Sequence, residues 1–305
     1  MKRLPISIWA NGYTTVPILS LMAKAACFTF LKMMIPLCFI NSVNGQKVDS
    51  FSIKADKLFI SDVEQLFLWD SLQERLGKYD LEGVLLSEVY TTTYGDLEKV
   101  DLSDPLRPAL FYKTSSMIEI FDDRLANRYE VDPKWVNVFQ VGGMSRSRLG
   151  GFILFDSNQN QLIRLDQQAN EIFRSSDLYA QVGNYLNPQD IFEYKGNIYL
   201  LDTSGILYEF SSQFQYLRQI SVEDFLSFQW WEGRLYLYSK KSIKYISLLD
   251  MQLQQSTIQL KGYEIDSYGI LGRSLYFLDR NRQLYRVPIL EVLDGAEGLD
   301  SQSGN

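Results

Sequence analysis

Residue types that carry most enzyme chemistry are scarce in this chain. The sequence contains no histidine, and its two cysteines, Cys27 and Cys38, both lie in the first 45 residues. Histidine is the commonest general base, and histidine and cysteine dominate soft metal sites and nucleophilic pairs. Phosphate-loop, nucleophile-elbow and dinucleotide-binding motifs are also absent from the sequence. The sequence therefore predicts no catalytic residue, no metal site and no cofactor.

Carboxylates are the remaining candidates for acid–base chemistry. Asp122 and Asp123 are adjacent, and Glu130 lies close to Asp132. At neighbouring turn positions such pairs usually cap backbone N–H groups instead of forming a catalytic dyad. Four further aspartates recur where a strand is predicted to end: Asp70, Asp156, Asp202 and Asp279. A calcium ring or an active site is the alternative, but a repeated turn position favours backbone capping.

Two groups of side chains are candidates for binding. Trp230 and Trp231 lie in a predicted innermost strand and Trp135 at the start of another, where an indole could stack on a sugar or anchor a peptide. Packing in the core is the alternative for these tryptophans. Arg146 and Arg148 lie in residues 142–151 (GGMSRSRLGG), a predicted glycine-flanked loop. They could contact a carboxylate-rich partner or form a solvated hairpin tip.

The N-terminal segment has the pattern of a signal peptide. Residues 21–40 are largely apolar, and small residues precede a cleavage site predicted between Gly45 and Gln46. A start at Met22 would give a more ordinary signal length than Met1. An uncleaved membrane anchor is the alternative, because the apolar stretch is near the length that spans a bilayer. Residues 1–45 are thus predicted to direct export to the periplasm.

Removing this segment leaves an acidic chain without thiols. Residues 1–45 contain four of the 30 basic residues and none of the 37 acidic ones, so residues 46–305 carry a net charge of −11. Such a charge disfavours nucleic acids and anionic lipids as partners. A secreted domain without disulfides must be stabilised by its core, and the remaining length is sufficient for one.

The elements that position these residues repeat along the chain. In residues 196–212 (GNIYLLDTSGILYEFSS), an apolar strand, a polar turn and a second strand follow one another. Equivalent positions recur at residues 70, 112, 156, 202, 239 and 279, spaced 37 to 46 residues apart. Repeats of about 40–45 residues with up to four strands are typical of a β-propeller. We therefore predict an all-β, six-bladed β-propeller, with five or seven blades as alternatives.

One innermost strand per blade is predicted before each hairpin, at residues 58–61, 97–100, 136–141, 191–194, 228–231 and 268–271. The last blade lacks a convincing outer strand, whereas residues 48–54 (VDSFSIK) form an additional strand at the start of the domain. We predict that this strand closes the ring by pairing into the last blade. The propeller is then predicted at residues 46–290 and a disordered tail at 291–305.

These repeats resemble a family of cell-envelope propellers common in Bacteroidota. The resemblance rests on the segment PALFYK starting at Pro108, on Phe121-Asp122 with Leu125, and on QLIRLD at residues 161–166. It covers most of residues 55–290, although Leu149-Gly150-Gly151 replaces the family's frequent Asp-Asn-Gly turn. Most members have no assigned activity, and some resemble the periplasmic plug subunit of the type IX secretion translocon.

Taken together, the sequence and the resemblance favour a non-catalytic, monomeric binding propeller in the periplasm. The resemblance implies an envelope protein as partner, with an outer-membrane secretion channel as the specific candidate. The alternative is a glycan-binding propeller, or a carboxylate-based carbohydrate enzyme at the mouth of the central channel.

Overall fold

The computed structural model describes residues 48–91, 93–222, 225–239, 242–258, 263–289 and 293–294. The chain divides into two units, residues 1–45 and 46–305, and only the second contains described residues. The predicted signal peptide and its alternative, a membrane anchor, lie outside the described residues. The described residues contain no helix with the length and apolarity needed to cross a bilayer.

The strands are named in chain order, starting with β1 (Asp49–Lys54). Blade 1 contains β2 (Lys57–Ser61), β3 (Gln65–Asp70), β4 (Arg75–Tyr79) and β5 (Leu85–Tyr90), and blade 2 contains β6 (Lys99–Asp101), β7 (Ala109–Tyr112), β8 (Met117–Phe121) and β9 (Arg128–Val131). Blade 3 contains β10 (Val141–Arg146), β11 (Phe152–Asp156), β12 (Gln161–Leu165) and β13 (Glu171–Arg174), and blade 4 contains β14 (Pro188–Tyr194), β15 (Asn197–Asp202), β16 (Ile206–Phe210) and β17 (Tyr216–Ser221). Blade 5 contains β18 (Ser227–Trp231), β19 (Arg234–Tyr238), β20 (Ser242–Ser247) and β21 (Gln252–Ile258), and blade 6 contains β22 (Ile265–Leu271), β23 (Ser274–Asp279) and β24 (Gln283–Pro288).

Each blade is an antiparallel sheet in which the strands pair in sequence order. The second strand is buried throughout in blades 2 and 3, in β7 and β11. It has a hydrogen-bonded neighbour on both edges and a packed blade on both faces, which suits its uninterrupted apolar run. The prediction of an all-β, six-bladed β-propeller is confirmed.

Six hydrophobic clusters hold the blades together, and each cluster joins two neighbouring blades. The cluster between blades 2 and 3 contains Phe111 and Leu154, for example. The cluster between blades 6 and 1 contains Leu284 and Leu66. Because the last blade packs on the first in the same way as the others, the ring is closed by packing as well as by strand pairing.

The predicted closing strand is confirmed. Strand β1 pairs antiparallel with β24 as the outermost strand of blade 6, with Phe51 opposite Leu284. The guanidinium of Arg286 lies 2.8 Å from the Asp49 carboxylate, and the guanidinium of Arg282 contacts Asp56 and Asp70 at 2.6 and 2.5 Å. The two ends of the domain are therefore joined by a strand ladder and by ion pairs.

The prediction for the innermost strand of blade 3 is wrong. Residues 133–136 form a 3-10 turn, Pro133–Val136, whose first turn is capped by the Asp132 side chain, and the strand is β10, which starts at Val141. Gly142 and Gly143, which were predicted to lie in a loop, belong to this strand. A Cβ atom on Gly143 would lie 3.2 Å from the Ile191 side chain and 3.3 Å from Pro188. A larger residue at position 143 would thus require the side chain of Ile191 or Pro188 to shift, because β10 and β14 approach closely.

Blade 5 carries an additional strand. The short strand β25 (Leu293–Asp294) pairs antiparallel with β21, through Thr257 and Ile258. These two residues lie in the tail that was predicted to be disordered, and at these positions the structure differs from that prediction. The other tail residues lie outside the described part of the chain.

Several tyrosine hydroxyls are buried between the strands. The Tyr112 hydroxyl donates to Glu119 at 2.6 Å and the Tyr199 hydroxyl donates to Glu209 at 2.8 Å. Burial, together with the neighbouring carboxylate, raises the pKa of both tyrosines well above the usual value. Burial raises the pKa of Tyr268 to about 12. At alkaline pH the folded protein therefore retains phenolic protons that the unfolded chain would lose.

We expect the protein to lose stability as the pH rises above 10. The unfolded tyrosine ionises near pH 10, so each tyrosine with a raised pKa costs roughly 1.4 kcal/mol per pH unit from there up to its folded-state pKa. For Tyr268 this window extends to about pH 12. Urea unfolding curves at several alkaline pH values, compared with Tyr268→Phe, would measure the slope. A Tyr268→Phe variant with the same slope as the natural protein would contradict this interpretation.

Candidate functional site

A cavity with a volume of about 500 Å³ lies between the innermost strands of the blades. Innermost strands of blades 1, 2, 4, 5 and 6 line it. Its wall combines aromatic rings, such as Phe59 and Phe228, with acidic side chains, such as Asp62 and Asp266. The strands predicted to be innermost thus face this cavity in five of the six blades.

A buried polar network crosses this cavity wall and joins four blades. The Lys99 ammonium of β6 donates to the Asp190 carboxylate of β14 at 2.6 Å. It also donates to the carbonyl oxygens of Ile191 at 2.8 Å and of Met144 at 3.1 Å. The indole N–H of Trp230 in β18 donates to the second oxygen of Asp190 at 2.5 Å. Since each group has a partner, the network can remain in a largely dry site.

The pKa values of two buried carboxyl groups in this wall, Asp190 and Asp101, are shifted in opposite directions. Burial raises the pKa of Asp190, although Lys99 and Trp230 favour its ionised form. Burial also acts on Asp101, but Lys99, the Ser103 hydroxyl and backbone N–H groups outweigh it and lower the pKa of Asp101. Both carboxylates thus accept hydrogen bonds from fixed donors of the protein.

The structure places the two adjacent tryptophans in interfaces between blades. The Trp230 ring stacks on Phe192 of blade 4, with ring centroids 5.0 Å apart and planes 9° apart. Trp231 packs against the cluster between blades 5 and 6 and lies 5.9 Å from the Tyr236 ring. Both remain half-buried and contribute to the cavity lining. Both tryptophans therefore pack between blades, which was the alternative to ligand binding, and part of each side chain also lines the cavity.

Between these tryptophans, Gln229 makes a contact that sequence reasoning missed. Its side-chain amide donates to the Ile270 carbonyl at 2.9 Å and accepts from the Ile270 N–H at 2.7 Å. The Tyr238 hydroxyl donates to the same amide oxygen at 2.7 Å. The Gln229 side chain therefore joins β18 of blade 5 to β22 of blade 6 by hydrogen bonds to the β22 backbone.

The recurring aspartates have the capping role predicted for them. A side-chain oxygen of Asp156 accepts the N–H of Asn158 at 2.9 Å, and Asp202 accepts the N–H of Ser204 at 2.8 Å. Asp70 and Asp279 accept backbone N–H groups in the same turn of their blades. Among the described residues, no group of three or more potential metal ligands is present.

The two candidate arginines do not share one loop. Arg146 lies in β10, and its half-buried guanidinium packs over the Phe152 ring at 5.3 Å and donates to the Arg107 carbonyl. Arg148 is exposed in the turn after β10, and its backbone N–H donates to Glu193 at 2.9 Å. The prediction that both arginines lie in an exposed loop is therefore wrong for Arg146, which lies in a strand. Arg148 does lie in an exposed turn.

Trp135 is not at the start of a strand, as predicted, but in the exposed 3-10 turn between blades 2 and 3. We use the name aromatic patch for four exposed rings on the two connections that flank blade 3: Trp135, Phe139, Tyr179 and Tyr185, with 69%, 63%, 46% and 75% of their surface exposed. The Tyr179 and Tyr185 rings lie 4.9 Å apart. Sequence reasoning missed the last three because it assigned Phe139 to a strand and analysed no aromatic in the longer connection.

Both connections that carry the aromatic patch contact one turn of blade 3, between β11 and β12. On one side the Gln140 carbonyl accepts the Ser157 N–H at 2.9 Å, which places Phe139 beside this turn. On the other side the Asn160 side chain accepts the Leu186 N–H at 3.0 Å, which places Tyr185 beside it. The Arg174 guanidinium, 3.6 Å from Asp156, also donates to the Val136 carbonyl at 3.0 Å and fixes the turn of Trp135.

Comparison with known proteins identifies the fold. No protein-family model and no curated protein matches the sequence. Virginiamycin B lyase from Staphylococcus aureus has a similar structure, with a TM-score of 0.52 and 9% identity over 79% of this chain and 99% of that one. BamB from Moraxella catarrhalis has a TM-score of 0.47 and 9% identity over 81% and 90% of the two chains. A Bacteroides caccae protein of unknown function has a TM-score of 0.47 and 11% identity over 71% and 86%.

A second similar structure is that of a catalytically inactive variant of the lyase together with quinupristin. In this variant an alanine replaces a histidine. Its TM-score is 0.50, with 11% identity over 76% of this chain and 79% of that one. At these identities the likeness shows the β-propeller fold alone.

Proposed function

We propose that this chain is an exported, non-catalytic propeller that recognises a protein of the cell envelope. The observation that carries the proposal is the aromatic patch, four exposed rings that are placed on two connections around one turn of blade 3. Tryptophan and tyrosine are enriched in the central contacts of protein interfaces, and large exposed apolar groups mark interaction sites. The partner is then a protein with an apolar contact surface that accepts these rings.

The residue composition supports a role without catalysis. The chain has no histidine, the residue type whose replacement by alanine accompanies inactivity in the lyase variant. The buried carboxylates of the channel, Asp101 and Asp190, are held by donors of the protein itself. The predicted signal peptide supports export of the domain to the periplasm. The resemblance to envelope propellers makes an outer-membrane secretion channel the specific partner we propose, with the propeller as its plug.

We expect Trp135→Ala combined with Tyr185→Ala to reduce capture of the partner at least about tenfold, as for central aromatic contacts. Both side chains are exposed, so the melting temperature should change little. The measurement is affinity capture of the tagged protein from gently solubilised envelopes of its own cells, quantified by mass spectrometry. A stoichiometric outer-membrane channel protein is the expected partner.

The matched control removes two exposed apolar side chains elsewhere, Leu72→Ala with Leu106→Ala. This control should capture as much partner as the natural protein does. Equal capture by the natural protein and the patch variant would contradict a role for the aromatic patch. Recovery of the propeller without any stoichiometric protein would contradict protein recognition itself.

One observation favours a second function, carbohydrate chemistry in the channel. Glycosidases use two carboxyl groups whose pKa values are moved apart, and Asp190 and Asp101 show opposite shifts in one cavity wall. Trp230 and Trp231 would then provide stacking surfaces for a sugar ring. Hydrolysis of a panel of nitrophenyl glycosides by the natural protein, abolished in Asp101→Asn, would support this function over the first. Glycan binding without hydrolysis would appear on a glycan array and weaken in Trp231→Ala.

A further inference from the structure

The outer strand of blade 1, β5, exposes several apolar side chains and contains a single charged residue. Residues Val84, Leu85, Leu86 and Tyr90, in and next to β5, are 57%, 43%, 50% and 58% exposed. The charged residue within β5 is Glu88, which is paired with Arg75 at 3.0 Å. Exposed, apolar outer strands of low charge are surfaces on which another strand can pair.

The backbone of β5 is available for such pairing. Strand β5 is the last strand of its sheet in the described part of the chain. The Thr91 N–H donates to the Glu74 carbonyl at 2.9 Å, so it points toward β4. Because antiparallel strands alternate inward and outward backbone groups, Glu88 and Tyr90 direct their N–H and C=O groups away from β4. We call this outward row, with the exposed side chains of Leu86 and Tyr90, the β5 edge.

Three other outer strands of the described chain, β9, β13 and β21, carry more charge or are covered by a further strand. Strand β9 carries an ion pair between Arg128 and Glu130, and β13 carries one between Arg174 and Glu171. In β17, Arg218 is paired with Glu209 of the same sheet, as Glu88 of β5 is with Arg75. Strand β21 is covered by β25, a segment of the chain's own C-terminal region. The last case shows that the outer strand of a blade accepts a further antiparallel strand in this protein.

We infer that the β5 edge binds an extended, apolar segment of a partner protein that carries lysine or arginine at its ends. Acidic residues surround the edge: Glu74, Asp80, Glu82 and Glu88. The domain also has a net charge of −11, which attracts a basic segment. A second copy of this chain would bring the same net charge of −11, which is unfavourable for pairing of two copies. This surface lies in blade 1 and is independent of the aromatic patch.

The test uses a defined probe, a twelve-residue peptide of alternating valine and threonine with lysine at both ends, labelled with fluorescein. The natural protein should bind it with a dissociation constant below about 1 mM, measurable by fluorescence anisotropy. Glu88→Pro removes one outward N–H, and proline is tolerated at such a position of an outer strand. This variant should bind the peptide about tenfold more weakly.

Two matched controls separate the backbone contribution from the charge. Glu88→Thr removes the carboxylate but retains the N–H, and it should bind the peptide more tightly than Glu88→Pro does. A peptide with glutamate at both ends should bind the natural protein more weakly than the lysine peptide. Equal binding by Glu88→Pro and Glu88→Thr, equal binding of both peptides, or no binding of the lysine peptide would each overturn the inference. A dimer of the natural protein that becomes monomeric in Glu88→Pro would identify a second copy as the occupant and overturn it too.

Discussion

A chain that begins at Ala55 should be less stable by on the order of 5 kcal/mol than one that begins at Gln46. The shorter chain lacks β1, the outermost strand of blade 6. It also loses Phe51 and Ile53, which pack against the cluster between blades 6 and 1, and the ion pair of Asp49 with Arg286. Since this interface closes the ring, the loss affects the whole propeller.

Urea unfolding of the two chains measures this effect, and a synthetic peptide of residues 46–56 added to the shorter chain should restore part of the stability. Two double variants of the full domain test the same strand. Phe51→Ser with Ile53→Ser changes the partly buried face, whereas Ser50→Thr with Ser52→Thr changes the exposed face. Only the first variant should be clearly destabilised. An unchanged melting temperature of the shorter chain would show that β1 does not close the ring.

The hairpins of the blades could be predicted because their signals are local. A run of buried apolar residues, an aspartate and a polar turn specify both strands, and Phe152–Asp156 and Gln161–Leu165 occur where the pattern indicates them. The closing strand was predictable for another local reason. The last blade lacked an outer strand, and the start of the domain contained one in excess.

The innermost strand of blade 3 could not be predicted in this way. Its glycines, Gly142 and Gly143, are read as loop residues when only the sequence is considered. The reason for Gly143 lies in β14, because a Cβ atom at position 143 would press against the side chain of Ile191. This contact joins two blades, so no single repeat contains the information.

The candidate site was predictable only in part for the same reason. Sequence analysis identified Trp230 and Trp135 from their residue type, but their surroundings depend on distant segments. Lys99 and Asp190 are 91 positions apart in the chain, and the closed ring brings them into contact past blade 3. The aromatic patch likewise combines two connections that only the packing of blade 3 brings together.

Replacing Lys99 by methionine should lower the free energy of unfolding by about 3–5 kcal/mol at neutral pH, the usual cost of leaving a buried charge without its partner. Lys99 and Asp190 keep only 16% and 6% of their side-chain surface exposed. In Lys99→Met the Asp190 carboxylate would have to stay ionised with Trp230 as its remaining side-chain donor. The ionised form becomes less favourable, so the pKa of Asp190, which burial already raises, should rise further.

The pH dependence distinguishes this mechanism from a simple loss of packing. A carboxyl group whose pKa is raised in the folded state destabilises the protein as the pH rises above about 4, where the unfolded chain ionises. The penalty of Lys99→Met should therefore be smaller at about pH 5 than at about pH 8. Lys99→Met combined with Asp190→Asn removes the unpaired charge and should recover most of the loss at the higher pH.

Lys57 provides the matched control for Lys99. It also lies on an innermost strand and contacts Asp96 and Glu98, but a third of its side chain is exposed. Lys57→Met should cost about 1 kcal/mol or less, as surface ion pairs do. Urea unfolding of these variants at both pH values gives the comparison. Equal penalties for Lys57→Met and Lys99→Met, or a Lys99→Met penalty that is independent of pH, would show that packing of the lysine stem, and not the buried charge pair, links the four blades.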